Sequence, residues 1–267
     1  MLNKFLVRVC RNLVEMRLCG FLRHLFRLNY LYAANRGKII AFLLIMPLFY
    51  QHNIDESTRA AIWRIEEHEP FFLEKVPLKK DVTHPYKRLQ HLAGRYLLPQ
   101  LFEDFPLSEI EIADTRKPFL PDEKYHFSIS HCGNYAAAIA SPDNRVGIDI
   151  ELVTPRLYDI SHKFLNPEEK NFLDEWEHLS QIHLELTTVL WSAKESIYKW
   201  YGNGKMDFRR HMYLNGPIVF RADEWIEMPF LFDKGTTIPM TVIAKVFDPL
   251  VMAYVVMDAG VNGGLRV

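Results

Sequence analysis

"RVGIDIE", residues 145–151, and "WSAKESIYK", residues 191–199, are the two stretches from which this sequence is best read. In a β-strand, residues two apart project from the same face. Asp149 and Glu151 therefore point together, while Ile148 and Ile150 turn to the other side. Paired carboxylates repel unless something positive stands between them, and an all-oxygen set of this kind suits Mg²⁺. The plainer alternative is an edge strand with a solvated acidic face. In the second stretch, 100° per residue puts Leu190, Ala193, Ile197 and Trp200 on one apolar stripe of a helix. Glu195 and Lys199 fall on the opposite face as an i, i+4 pair in the favourable order. Taken alone, that pair reads as a surface ion pair.

Upstream, "FSISHCG", residues 127–133, ends a strand with Ser130 and His131 at a turn. A hydroxyl, an imidazole and turn amides together suit a phosphate, although a histidine beside a turn is more often structural. Cys132 has no neighbour in sequence that would activate its thiol and reads as inert. Arg88 and Arg95 lie seven apart on one predicted helix, and Lys117 lies in a turn; each can pair with phosphate. The sequence has no phosphate-cradling glycine loop, CxxC pair, HExxH or GxSxG. His178 and His183 have an awkward spacing for a helical metal pair and are assigned no role.

Around these stretches the pattern predicts a strand over 47–51 and a helix over 56–66, then a strong helix over 85–102 that Pro99 brings to its end. Residues 114–123 read as a turn-rich hinge. Strands follow at 125–131 and 135–141 around a turn at 132–134, and another at 145–152. Asn166 caps a helix that opens on Pro167, with Glu168 and Glu169 in its first turn. A long helix covers 184–201 and stops at Gly202 and Gly204. Strand-like runs come at 217–221, 240–246 and 252–257. This mixed order, without regular βαβ alternation, is an α+β fold, divided here into halves 46–147 and 148–267.

The near-neutral total, −1, hides an asymmetry. Residues 1–45 carry eight Lys and Arg against one acid, Glu15; the remaining 222 residues carry 24 basic and 32 acidic groups. The leader and the rest thus differ in origin or in job. The apolar run over 38–50 is too short to span a bilayer comfortably and lacks a small-residue cleavage site. A basic amphipathic, membrane-surface helix is one reading of the leader. The preferred reading is that Met46 is the natural start and residues 1–45 are upstream sequence. Three cysteines at these spacings form no disulfide framework, which points to a reducing, cytoplasmic setting.

Individually weak, these features gain specificity from their combination and order. Through "KRLQHLAGRYLL", "RKPFLPDEKYHFSISHCGNYAAAIA", "RVGIDIE", "FLNPEEKNFL" and "WSAKESIYKWYGNG", the sequence resembles the larger, Sfp-like group of 4′-phosphopantetheinyl transferases, over most of residues 46–205. The resemblance implies a fold of two similar α/β halves related by a pseudo-twofold axis, with the active site between them. It implies transfer of the phosphopantetheine arm of coenzyme A to a serine of an apo acyl or peptidyl carrier protein, in the manner of a holo-acyl-carrier-protein synthase. It further implies Mg²⁺ held by Asp149, Glu151 and Glu195, catalysis by Glu195 and Lys199, and coenzyme A bound by Arg88, Arg95, Lys117, Ser130, His131 and Lys199. The three carboxylates are expected within one cation's reach. Glu169 falls where the family has an FTxxE-like acid, although Leu165 and Asn166 replace the usual Phe-Thr. A monomer is expected, with no nucleic-acid partner and no stable membrane insertion. Carrier docking must rest on a local basic or apolar patch, because residues 46–267 are themselves net acidic. The rival readings are a metal-dependent nuclease or phosphoesterase and a carrier-binding homologue without transfer activity.

Overall fold

The RVGIDIE stretch forms the middle of a nine-residue strand, β7 (Asn144–Leu152), and the WSAKES stretch lies on the helix packed against it. The computed structural model describes residues 47–77, 82–221 and 223–260. The basic leader and the expected start at Met46 lie outside the described residues. In chain order, the strands are β1 (Leu48–Asn53), β2 (Arg59–Arg64), β3 (Glu111–Ile112), β4 (Pro118–Phe119), β5 (His126–Cys132), β6 (Tyr135–Ser141), β7, β8 (Met212–Leu214), β9 (Val219–Phe220), β10 (Trp225–Asp233), β11 (Thr237–Val246) and β12 (Leu250–Asp258). The α-helices are α1 (Glu69–Leu73), α2 (Pro85–Leu101), α3 (Pro155–Asp159), α4 (Pro167–Asp174) and α5 (Ser180–Tyr201). The arrangement is mixed α+β, as expected. Among the described residues no helix is long and apolar enough to cross a membrane.

One antiparallel sheet has the strand order β1-β2-β6-β5, and a second runs β7-β12-β11-β10-β8. Helix α2 packs on the first sheet, and its Leu92 and Leu97 share a core with Trp63, Phe72, Phe105 and Phe127. Helix α5 lies on the second, with Leu190, Ala193, Ile197 and Trp200 fully buried as their stripe predicts. Gly147 is what lets this helix come so close. A Cβ at that position would stand 2.7 Å from the Trp200 amide nitrogen and collide with the Ser196 carbonyl oxygen. At its far end α5 is stopped by Gly202, whose φ of 75° is the left-handed conformation of a helix C-terminus.

The two sheets meet where the edge strand of each, β5 and β7, run side by side. Serine hydroxyls make this seam: Ile148 N–H donates to Ser128 Oγ and Ile150 N–H to Ser130 Oγ, each at 3.2 Å. Strand β7 supplies both backbone donors of the seam.

Several local expectations are corrected. The helix expected over 56–66 is a hairpin. Asp55 Oδ1 accepts from the Ser57 and Thr58 amides at 2.8 and 2.6 Å and turns the chain from β1 into β2. Ala60, Ala61, Ile62 and Trp63 are all buried, so both faces of β2 are covered, and β1 and β6 flank it within the sheet. A strand covered on both faces shows no alternation, and its continuous apolar run imitates a helix. Pro99 sits inside the last turn of α2 rather than ending it. The hinge expected over 114–123 holds one arm of a small hairpin, β3 with β4, turning through Arg116 at φ 69°. Helix α5 starts at Ser180, four residues earlier than expected. Strand β10 was not anticipated, although its burial alternates residue by residue.

Candidate functional site

Asp149 projects from β7 toward α5 and is 3% exposed. Its Oδ1 accepts from Lys199 Nζ at 2.7 Å and from Ser130 Oγ at 2.9 Å. Lys199 Nζ also donates to Ser130 Oγ at 2.8 Å. The Ser130 hydroxyl is thereby saturated: its proton goes to Asp149, and its two lone pairs accept from Lys199 and the Ile150 amide. The other oxygen of Asp149, Oδ2, is buried and accepts no hydrogen bond. A buried carboxylate oxygen without a donor is costly unless a cation can use it.

Glu151, two residues on, shares that face. Its Oε1 accepts from the Trp191 indole N–H at 3.4 Å and its Oε2 from the Cys132 thiol at 3.1 Å. Burial first, and then the Asp149 charge, raise its carboxyl above the ordinary range. Burial and the negative charges of Asp149 and Glu151 push Glu195 up to about 7, against the opposing pull of Lys199. Trp191, Glu195 and Lys199 recur every four residues along α5, and Trp191 and Lys199 bond to Glu151 and Asp149 of β7. The Cys132 thiol, pushed up to about 12 by burial and by Glu151, is a hydrogen-bond donor and not a nucleophile.

Asp149, Glu151 and Lys199 act electrostatically on Glu195, yet among the described residues no three acidic, histidine or cysteine side chains form a ready metal cage. Lys199 supplies the positive charge beside Asp149 in this arrangement. Ser130 joins the carboxylates rather than His131, because neighbouring strand residues face opposite ways. His131 is exposed at the end of β5, within electrostatic reach of Lys87, Lys199 and Asp149.

The remaining cations have their own surroundings. Arg88 pairs with Glu69 at 2.8 Å and donates to the Val82 carbonyl at 3.1 Å, bracing α1 and the entry to α2. Arg95 stands 3.0 Å from His91 Nδ1 in a cavity of about 360 Å³ lined also by Leu107, Ile110 and Glu111, and burial lowers it to about 10. Lys117 donates to the Trp200 carbonyl at 3.2 Å. It borders a cavity of about 290 Å³ with His126, Arg145 and Tyr201, and burial followed by Arg145 lowers it to about 8.

Glu169 acquires a defined place. Its carboxylate completes a capping box with Asn166, accepts from the Leu214 amide at 3.1 Å, and meets Lys194 Nζ at 2.6 Å. Lys194 is fully buried, and its other two protons go to the Phe164 and Phe208 carbonyls at 2.8 and 3.0 Å. This sealed pair touches no solvent, so Glu169 holds the fold around α4 and α5 together. Residues missed in the sequence are Trp191, Cys132 and Lys194. Trp191 alone left a signal there, four residues before Glu195 on the same helical face.

Residues 145–224 match the family model described as the 4′-phosphopantetheinyl transferase superfamily, and this stretch holds Asp149, Glu151, Glu195 and Lys199. The chain is 32% identical over 130 residues to the 4′-phosphopantetheinyl transferase AcpT of Escherichia coli, covering 47% of this chain and 64% of that protein. It is 31% identical over 121 residues to enterobactin synthase component D of Salmonella typhi, covering 44% and 49%. To the 4′-phosphopantetheinyl transferase of Bacillus subtilis it is 39% identical over 87 residues, covering 33% and 37%. In each case the match spans less than two thirds of the relative's length.

Proposed function

We propose that this chain, a member of the 4′-phosphopantetheinyl transferase superfamily through residues 145–224, moves the phosphopantetheine arm of coenzyme A onto a serine of an apo acyl or peptidyl carrier protein. The observation that carries the proposal is Asp149: a buried carboxylate with one oxygen on Lys199 and Ser130, the other without a donor, and two further acids beside it. Such a donor set fits Mg²⁺, which Asp149, Glu151 and Glu195 would hold. Bound there, the ion supplies Lewis-acid stabilisation of charge on the pyrophosphate oxygens.

The protein's own groups have distinct tasks. The carrier serine Oγ attacks the pantetheine-side phosphorus of the coenzyme A pyrophosphate. A new P–O bond forms as the bridging P–O bond breaks, and adenosine 3′,5′-bisphosphate leaves. Glu195, or a water that it holds, is suited to accept the serine proton. Lys199 neutralises the charge that builds on the leaving phosphate. Ser130 holds Asp149 and Lys199 in register, while the exposed His131 is suited to grip the 3′-phosphate. Arg95 and Lys117 remain candidates for the rest of the nucleotide; Arg88, bound to Glu69, is the weakest of the three. A single chain supplies every residue that this reading names.

The test combines apo carrier protein, Mg²⁺ and a fluorescent coenzyme A, scored for covalent label on the carrier. Label that requires all three components is expected. Absence of label across fatty-acid, polyketide and peptide carriers overturns the proposal.

A further inference from the structure

Trp191 and Cys132 hold the Glu151 carboxylate at two points, the indole N–H on Oε1 at 3.4 Å and the thiol S–H on Oε2 at 3.1 Å. The indole is itself held. Phe164 meets its ring edge-on at 5.0 Å and Phe208 lies tilted against it at 5.6 Å. The backbone carbonyls of those same two phenylalanines accept from Lys194, at 2.8 and 3.0 Å, and Lys194 is pinned by Glu169 at 2.6 Å. Three features of the structure thus form one support: a buried ion pair, two aromatic rings hung on it, and an indole packed against both rings and aimed at a site carboxylate.

We infer that Trp191 and Cys132 are positioning residues that fix the Glu151 carboxylate for a divalent cation, and that the Lys194–Glu169 pair stiffens Trp191 through Phe164 and Phe208. This rests on the proposed metal role of Glu151. A carboxylate free to rotate loses torsional entropy when it takes a ligand, whereas one held by two donors has already lost it. Each donor uses one lone pair of its oxygen, so each oxygen keeps another for a cation. Outer partners that orient a ligand typically change metal affinity by about tenfold or more when removed.

The experiment uses the whole chain and Mn²⁺ as the paramagnetic probe, with coenzyme A present, and reads the dissociation constant directly by electron spin resonance. Trp191→Phe keeps an aromatic ring between Phe164 and Phe208 but removes the N–H; its Mn²⁺ affinity is expected to fall about tenfold. Cys132→Ala, at a strand end away from the aromatic support, is expected to show a smaller loss, and Cys132→Ser to recover part of it. In Trp191→Phe and Cys132→Ala the thermal midpoint stays close to the parent's, and transfer at saturating Mn²⁺ falls far less than affinity does. Unchanged Mn²⁺ affinity in both overturns the clamp while leaving the transferase reading intact. A parent protein that binds no Mn²⁺ overturns both. Loss of affinity that tracks loss of folding in both variants overturns the clamp in favour of packing alone.

Discussion

Lys199 Nζ and Asp149 Oδ1 stand 2.7 Å apart across the contact between α5 and β7, with Ser130 Oγ bonded to both. Asp149 is almost fully buried, so the ammonium is what compensates its desolvation. Replacing Lys199 by Met should abolish transfer and destabilise the protein by about 1–3 kcal/mol, discounted because Lys199 is partly exposed. Urea unfolding measures the stability change. Added Mg²⁺ should restore more stability to Lys199→Met than it adds to the parent, because the cation then meets an unneutralised Asp149.

Glu195 makes stability depend on pH. Its folded pKa near 7 lies above the ordinary carboxyl value of 4.5, so the folded state binds the extra proton between those limits. Stability therefore falls as pH rises from about 4.5 to 7, by roughly 3 kcal/mol at most. The raised carboxyl of Glu151 works in the same direction. Urea titrations at pH 5 and pH 8 in a chelator should show this loss, and Glu195→Gln should flatten much of it. The same variant should lose turnover while still binding coenzyme A; near-normal turnover would exclude Glu195 as the base.

The buried pair of Lys194 and Glu169 should behave as a unit. Glu169→Ala leaves a fully buried ammonium without its counter-ion and should cost about 3–5 kcal/mol. Lys194→Met alone leaves the carboxylate with its amide donors and should cost less. The double change Glu169→Leu with Lys194→Met should recover much of the loss, and a double-mutant cycle on unfolding free energies reads the coupling.

Gly147→Ala tests the closeness of α5 to β7. The added methyl meets backbone at the Ser196 carbonyl and the Trp200 amide, neither of which can swing aside. The expected cost is about 2–4 kcal/mol, together with a shift of Glu195 and Lys199 that lowers kcat. A variant with parent stability would show that the helix has room to move.

What was legible in the sequence was what short-range periodicity writes there. The stripe of Leu190, Ala193, Ile197 and Trp200, the shared face of Asp149 and Glu151, and the cap at Asn166 each depend on residues within a turn or two of one another. Strand β2 was misread because burial on both faces erases the alternation that marks a strand. The grip on Glu151 joins residues 132, 151 and 191, and the partner of Lys194 lies 25 residues away. Contacts at such separations are set by topology and leave no local mark. Ser130 and His131 read as one pair in the sequence, whereas the Ser130 hydroxyl bonds to Asp149 and His131 is exposed.

The serine seam between β5 and β7 makes one hydroxyl both weld and electrode. Ser130 Oγ ties the Ile150 backbone to the neighbouring sheet with the same lone-pair geometry that fixes the Asp149–Lys199 couple. Any sliding of one sheet along the other would strand a buried amide and unseat the charges in the same motion. Mechanical integrity and electrostatic alignment thus share a single atom.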